Sequence, residues 1–307
     1  MTEQTSHAKP GLRVIVALSA VLVLYSYVGA LWLNRHGYSP ASLVTIRDWV
    51  NKPSGISDDF GVLGVSLLLM TAGFVVARGT PLRRMLTATL PALAVTAVVT
   101  AVAQLLGGEP FLGLGWPVAI AVPATALAFA TRRLPPVAGL SIHLAVSGTL
   151  MFVGLHAPAL LHEAGLLAGF AQLFVLGEML WYVRAERLKP WAGSLVAVAA
   201  FAILLLTEHR YAEWYGFWYP VTALFALLLF LLALPSGQIA GESALVRWLS
   251  SRAIWLIGAG CALGWTILGL SHEHLPLVVS GAAAVLATGL AAEAGHRYVE
   301  RPLAGAR

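Results

Sequence analysis

Ten long apolar runs dominate this 307-residue chain, at about 12–33, 60–77, 86–107, 112–131, 136–157, 164–183, 191–207, 214–235, 253–271 and 275–295. A helix needs about 20 mostly apolar residues to cross a bilayer. Backbone polar groups in lipid can be satisfied only inside helices or closed barrels. These runs are continuous and do not alternate, so they predict helices and not barrel strands. Composition agrees: 59% of residues are hydrophobic and 11% charged, against roughly 25% charged in soluble domains. A soluble enzyme, a disordered chain and a secreted disulfide scaffold are excluded. The fold class expected is all-α, a polytopic membrane protein of about ten transmembrane helices, forming one domain over residues 1–307. The short polar stretch Thr2–Pro10 precedes the first run without a small-residue cleavage site, so that run is read as a retained helix.

The loops predict the orientation. All basic residues except Arg35, Arg47, Lys52 and Arg210 fall in loops on the amino-terminal side of this alternation. By the positive-inside rule both termini are then cytoplasmic, and the net charge of +5 reflects topology, so no nucleic-acid partner is expected. Trp32, Trp116, Trp181, Trp191, Trp214 and Trp255 lie near run ends, as interfacial aromatics do. Short amphipathic helices are expected around Leu43–Val50 outside and Ser243–Ser251 inside, the second anchored by Arg247 and Trp248. The one cysteine, Cys261, sits in an apolar run and has no partner for an internal disulfide.

Ionisable groups within apolar runs are costly and are therefore functional candidates. Glu178 stands in the sixth run about five residues from its cytoplasmic end, roughly 8 Å deep at ~1.5 Å per residue. His143 in the fifth run has a similar depth, and antiparallel neighbours would bring the two together. Each also has a plainer reading: Glu178 as a structural carboxylate paired with Arg184 or a helix partner, His143 as a hydrogen-bonded packing residue. Glu293 and His296 lie near the cytoplasmic end of the tenth run, where Glu293 can snorkel, and Gln104 and Gln172 are neutral polar groups nearer the outside. His272, Glu273 and His274 are adjacent in an outer loop, a spacing that lacks the one-face arrangement of a zinc motif, and no metal is expected. His156 and His162 read as boundary residues.

Arg78, Arg83 and Arg84 cluster around Pro81. They are either topology signals and lipid anchors or a cytoplasmic anion site, since guanidinium forks bind phosphate bidentately. No Walker loop, GxSxG elbow, CxxC or GxGxxG occurs, which leaves ATPase, hydrolase-fold, redox and Rossmann readings without support.

Several segments resemble one family. Gly64–Arg78, GVSLLLMTAGFVVAR, resembles the GVDLFFVLSGFLITR-type second helix of the membrane acyltransferase 3 family. Glu178–Tyr182, EMLWY, is similar to that family's ExQFY element, and His296–Pro302, HRYVERP, to its terminal Y-x-hydrophobic-E-x-P signature. Gly11–Leu24 resembles its first helix. The resemblance implies a divergent O-acyltransferase that moves an acyl group, most often acetyl, from acyl-CoA to a hydroxyl of a glycan, lipid or secondary metabolite. It implies no cofactor besides that donor. By position Arg78 matches the family's arginine after the second helix, Glu178 its motif carboxylate, and Tyr298, Glu300 and Pro302 the terminal signature. The mechanism expected adds Arg84 beside Arg78 at the donor phosphates and has His143, oriented by Glu178, replace the family's first-helix base. The chain departs from the family at the end of the first helix, where VLVLYSY puts Ser26 in place of a histidine. It also lacks the family's late-helix tyrosine and histidine around Gly260–Ile267. Two other readings follow: a non-catalytic membrane protein on the same scaffold, and a transporter or flippase of an acylated or lipid-linked glycan. The excess of Arg over Lys, with abundant Ala, Val and Gly, suggests a bacterial plasma membrane.

Overall fold

The structure is a computed structural model and describes residues 4–56, 58–107, 115–211, 219–236 and 238–302; the side chains of 4–9, 84, 236 and 238 lie outside the description. Trp214 and Arg307, used above for topology, also lie outside it. The described residues are all-helical, with no strand.

Helix α1 (Gln4–Leu24) passes through a π-helical segment, Tyr25–Leu31, into Trp32–Arg35. A short helix α2 (Ala41–Ile46) continues into the π-turn Arg47–Asn51, where the amphipathic segment was expected. Then come α3 (Gly61–Ala77), α4 (Leu82–Leu105), α5 (Gly115–Thr131) and α6 (Pro136–Gly154). Helices α7 (Ala159–Phe170) and α8 (Gln172–Arg184) form one rod interrupted at Ala171. Next are α9 (Pro190–Arg210) and α10 (Tyr219–Ser236). Helix α11 (Ala244–Trp255) runs through the π-segment Leu256–Gly260 into α12 (Cys261–Ser271). Helix α13 (Leu277–Gly295) ends in the π-segment His296–Glu300. Seven of the described helical stretches are long and apolar enough to cross a membrane, and Gly61–Ala77, Gly115–Thr131 and Tyr219–Pro235 are apolar but shorter. The molecule is thus an all-α membrane protein. The amphipathic stretch at Ser243–Ser251 is continuous with the following apolar helix instead of standing apart, because Ser243 caps its start by accepting from the Val246 N–H and nothing breaks the helix after it.

Proline and glycine set the helix ends. Pro136 and Pro190 occupy first-turn positions, where the missing N–H costs nothing. Gly79 takes φ 89° just past α3, and its N–H reaches back to the Val76 carbonyl, closing the helix as a left-handed residue must.

The core is built around α3 and α8. Leu67, Met70 and Phe74 of α3, with Leu173, Phe174 and Leu176 of α8, are fully buried. Gly73 and Gly177 let the two backbones touch: a Cβ on Gly73 would meet the Phe174 carbonyl, and one on Gly177 the Met70 carbonyl. Small residues at a crossing are how membrane helices gain van der Waals contact without a hydrophobic driving force between them. Peripheral helices turn their large side chains outward, with Val98, Leu232 and Leu286 more than 60% exposed, the surface hydrocarbon chains would cover. So Glu178 rides on a helix at the centre of this core.

Candidate functional site

Glu178 and His143 meet. His143 Nδ1 stands 2.5 Å from Glu178 Oε2, and both side chains are buried. On its other edge His143 Nε2 is 3.0 Å from the Thr131 hydroxyl. The three residues sit on α8, α6 and the last turn of α5, and they form a carboxylate–imidazole–hydroxyl row. A neutral ring protonated at Nδ1, toward the carboxylate, would turn its Nε2 lone pair toward Thr131. The Thr131 hydroxyl has one proton to share between Nε2 and the Leu127 carbonyl, which lies 2.9 Å away. One turn further along α6, Ser147 accepts from Gln172 Nε2 at 2.6 Å and donates to the His143 carbonyl at 2.6 Å, fixing α6 against α8.

Glu178 is also the floor of a cavity of about 790 Å³ that opens at the end of the bundle where α3, α5 and α8 finish. Arg78, Arg132, Arg133, Arg184 and Arg187 line it, and Glu178 is the one carboxylate among its lining residues. Aromatic faces brace several of these cations: Arg78 over Trp181 at 5.8 Å, Arg132 over Phe129 at 5.6 Å and Arg187 over Tyr182 at 5.7 Å. Five guanidinium groups around one carboxylate make a strongly anion-attracting vestibule. On the far side of His143 lies a second cavity of about 330 Å³, with an almost wholly apolar lining that includes Ile120, Leu127, Val146, Leu150 and Val175. The Glu178–His143 pair therefore separates a cationic, polar space from an apolar one.

Of the residues singled out from sequence, Arg78, Glu178 and His143 converge here. Arg84 lies on α4, but its side chain is outside the described residues. Tyr298, Glu300 and Pro302 do not join this site. They belong to the last described helical turn, where Glu300 accepts from Trp255 Nε1 at 3.1 Å and contacts His296 Nδ1 at 3.0 Å, while Tyr298 is 79% exposed. Glu293 does not snorkel free: it pairs with Arg252 and Arg297 and accepts from Trp248 Nε1 at 2.9 Å. Arg184 lines the cationic cavity, and the residue that stands against the Glu178 carboxyl is His143. Thr131, Arg132, Arg133 and Arg187 had not been singled out for the site. The basic pair at 132–133 read as topology signal, and only the packing of α5 beside α3 and α8 reveals that it faces Glu178.

At the opposite end of α1, Ser26 occupies a separate polar nest. Its hydroxyl is 3.0 Å from each oxygen of Asp59, which also accepts from the Gly61 N–H at 2.6 Å. Burial pushes the Asp59 carboxyl above its ordinary range, although the Gly61 and Ser26 hydrogen bonds act the other way. His272 bonds backbone carbonyls of its own helix, and no group of three His, Cys, Asp or Glu is gathered for a metal among the described residues.

Comparison of the chain with protein-family models, with curated proteins and with solved structures finds no match to any of them.

Proposed function

We propose that this protein is a multi-pass membrane O-acyltransferase that takes an acyl group from acyl-CoA and places it on a hydroxyl of a glycan, lipid or secondary metabolite. In this reading the chain is a divergent relative of the membrane acyltransferase 3 family in a bacterial plasma membrane. It crosses ten times, with both termini cytoplasmic. The observation that carries the proposal is the position of Glu178, which floors an arginine-lined cavity and at the same time holds a buried histidine. An acyl-CoA donor is a polyphosphate at one end and a thioester at the other. The arginines suit the first, and the imidazole beyond them suits the second.

The chemistry follows from the row of groups. His143 Nε2 accepts the proton of the acceptor hydroxyl while its oxygen bonds to the thioester carbonyl carbon. The resulting tetrahedral oxyanion collapses with cleavage of the C–S bond, and the imidazolium returns the proton to the leaving thiolate. Glu178 stabilises the imidazolium and fixes the tautomer. Thr131 holds the ring edge where the acceptor hydroxyl must arrive. No metal is needed for a thioester.

The test is release of free thiol from acetyl-CoA by the purified, detergent-solubilised chain supplied with acceptor extract. His143→Ala is expected to lower the rate by about 10²–10⁴-fold, the usual worth of a general base, with donor affinity retained. Arg132→Gln and Arg78→Ala are expected to weaken donor binding instead. Donor binding untouched by both arginine variants would remove the cavity from the reading, and undiminished turnover in His143→Ala would remove the base. One observation favours a second reading, a non-catalytic protein on the same scaffold: Ser26, which stands where the family resemblance places a histidine, is tied up with Asp59. That reading expects no thiol release with any acceptor.

A further inference from the structure

A second cationic cavity, of about 510 Å³, lies at the same end of the bundle and shares Arg78 with the first. Its walls come from four separate stretches of chain: Arg13 in the first half of α1, Arg78 past α3, Arg247 and Arg252 on α11, and Arg301 in the helical turn that follows α13. A run of surface arginines on one helix is an ordinary topology signal. Five drawn from distant segments into one hollow is a different thing, because their mutual repulsion has to be met by packing or by a ligand.

The local carboxylates are already committed. Glu293 is shared between Arg252 and Arg297, and Glu300 between His296 and the Trp255 indole. Among the described residues Arg13, Arg247 and Arg301 have no carboxylate within ion-pair distance. Arg252 is buried, held over the Trp248 ring at 5.2 Å and bonded to the Ser251 hydroxyl at 2.8 Å, so its guanidinium is fixed in place. The floor is apolar, made by Leu12 and Val16 of α1. A cationic rim over an apolar floor fits a charged group carried on an apolar or aromatic body.

We propose that this second cavity is a binding site for a phosphate ester, distinct from the vestibule above Glu178. Arg13, Arg247 and Arg301 supply the neutralising charge, and Arg252, its fork held by Glu293, makes a fixed wall between them. Two sources share this chemistry: the headgroup of an anionic membrane lipid, and a soluble phosphate ester.

The experiment titrates the full detergent-solubilised chain with inorganic pyrophosphate by calorimetry. It compares the unaltered protein with Arg247→Gln/Arg301→Gln and with Arg132→Gln/Arg187→Gln. Two saturable sites are expected. The first pair of substitutions should weaken one of them by about tenfold or more and leave the other, and the second pair should do the converse. A separate arm repeats the titration in nanodiscs of phosphatidylcholine alone or with phosphatidylglycerol. Competition by phosphatidylglycerol at the Arg247/Arg301 site identifies the lipid headgroup as the source, and undiminished pyrophosphate binding identifies the soluble ester. A single site lost in Arg132→Gln/Arg187→Gln and unchanged in Arg247→Gln/Arg301→Gln overturns the proposal, as does the absence of saturable binding. Arg13→Gln, on a different element, reads the same site if the double substitution impairs folding. Activity plays no part in this readout, so its outcome is independent of acyl transfer.

Discussion

Among single residues, Asp59 has the most exacting environment outside the central site. Its carboxyl is held by the Ser26 hydroxyl and the Gly61 N–H, but burial outweighs both and raises its pKa. The sign follows from linkage. Just above the ordinary aspartate range the folded chain still binds this proton and the unfolded chain does not, so stability falls as pH rises through that window. Below it both states are protonated, the contribution is fully present and stability no longer changes with pH through this group. Asp59→Asn keeps an acceptor for the Gly61 N–H and removes the titration. Its thermal midpoint in detergent is expected to stay flat across acid pH values where that of the unaltered chain declines. Equal slopes in the two proteins would show that Asp59 does not carry the dependence. None of this was legible in the sequence. Ser26 stood out there only for what it replaced, and its partner lies 33 residues away across the loop before α3. By contrast, the Glu178–His143 meeting was legible, because equal depth on antiparallel neighbours is a one-dimensional argument.

At the scale of elements, the helices themselves were the readable part. Among the described residues the apolar runs are helical, with the run at 164–183 interrupted at Ala171, and several helices start just after a proline. What the runs did not announce were the π-helical segments at Tyr25–Leu31, Leu256–Gly260 and His296–Glu300, since an apolar sequence is equally compatible with either winding. Helix pairing was also hidden. The α3–α8 crossing depends on Gly73 and Gly177, two glycines among many, and sequence alone gives no reason to prefer them. Structure gives one: the added Cβ would press into a backbone carbonyl, which cannot rotate away. Gly177→Ala is therefore expected to cost about 1–3 kcal/mol and to disturb the Glu178–His143 contact one residue on. Gly289→Ala in α13 meets nothing within 4 Å and is expected to be neutral or to stabilise by up to about 1 kcal/mol through helix propensity. Thermal unfolding of the two variants side by side checks this. A Gly177→Ala protein as stable as Gly289→Ala would mean that the two helices do not pack this closely.

Across the whole molecule, charge and depth fit together. The vestibule above Glu178 and the Arg13–Arg247–Arg301 cavity both open at the end of the bundle where α1 begins. The nest of Ser26 and Asp59 and the ring cluster of Trp32, His36 and His272 lie at the other end. Positive charge is thus concentrated on one face by convergence of loops that are far apart in sequence. The sequence showed which loops were basic, but only the packing shows that they surround two hollows. If the proposed orientation holds, the arginine face looks into the cytoplasm, where a phosphorylated acyl donor is made, and the acceptor has the remaining faces. The native chain offers a clean way to check this, because Cys261, its one cysteine, is fully buried in α12. Glu273→Cys places a thiol in the exposed loop at the Ser26 end, and Glu242→Cys places one before α11 at the arginine end. In intact cells a membrane-impermeant maleimide should label Glu273→Cys readily and Glu242→Cys only after permeabilisation, with the unaltered chain silent in both. The inverse pattern would put both arginine cavities outside. A cytoplasmic acyl-CoA could then no longer reach Glu178 from that side, and the phosphate-ester site would have to serve an outer-leaflet lipid.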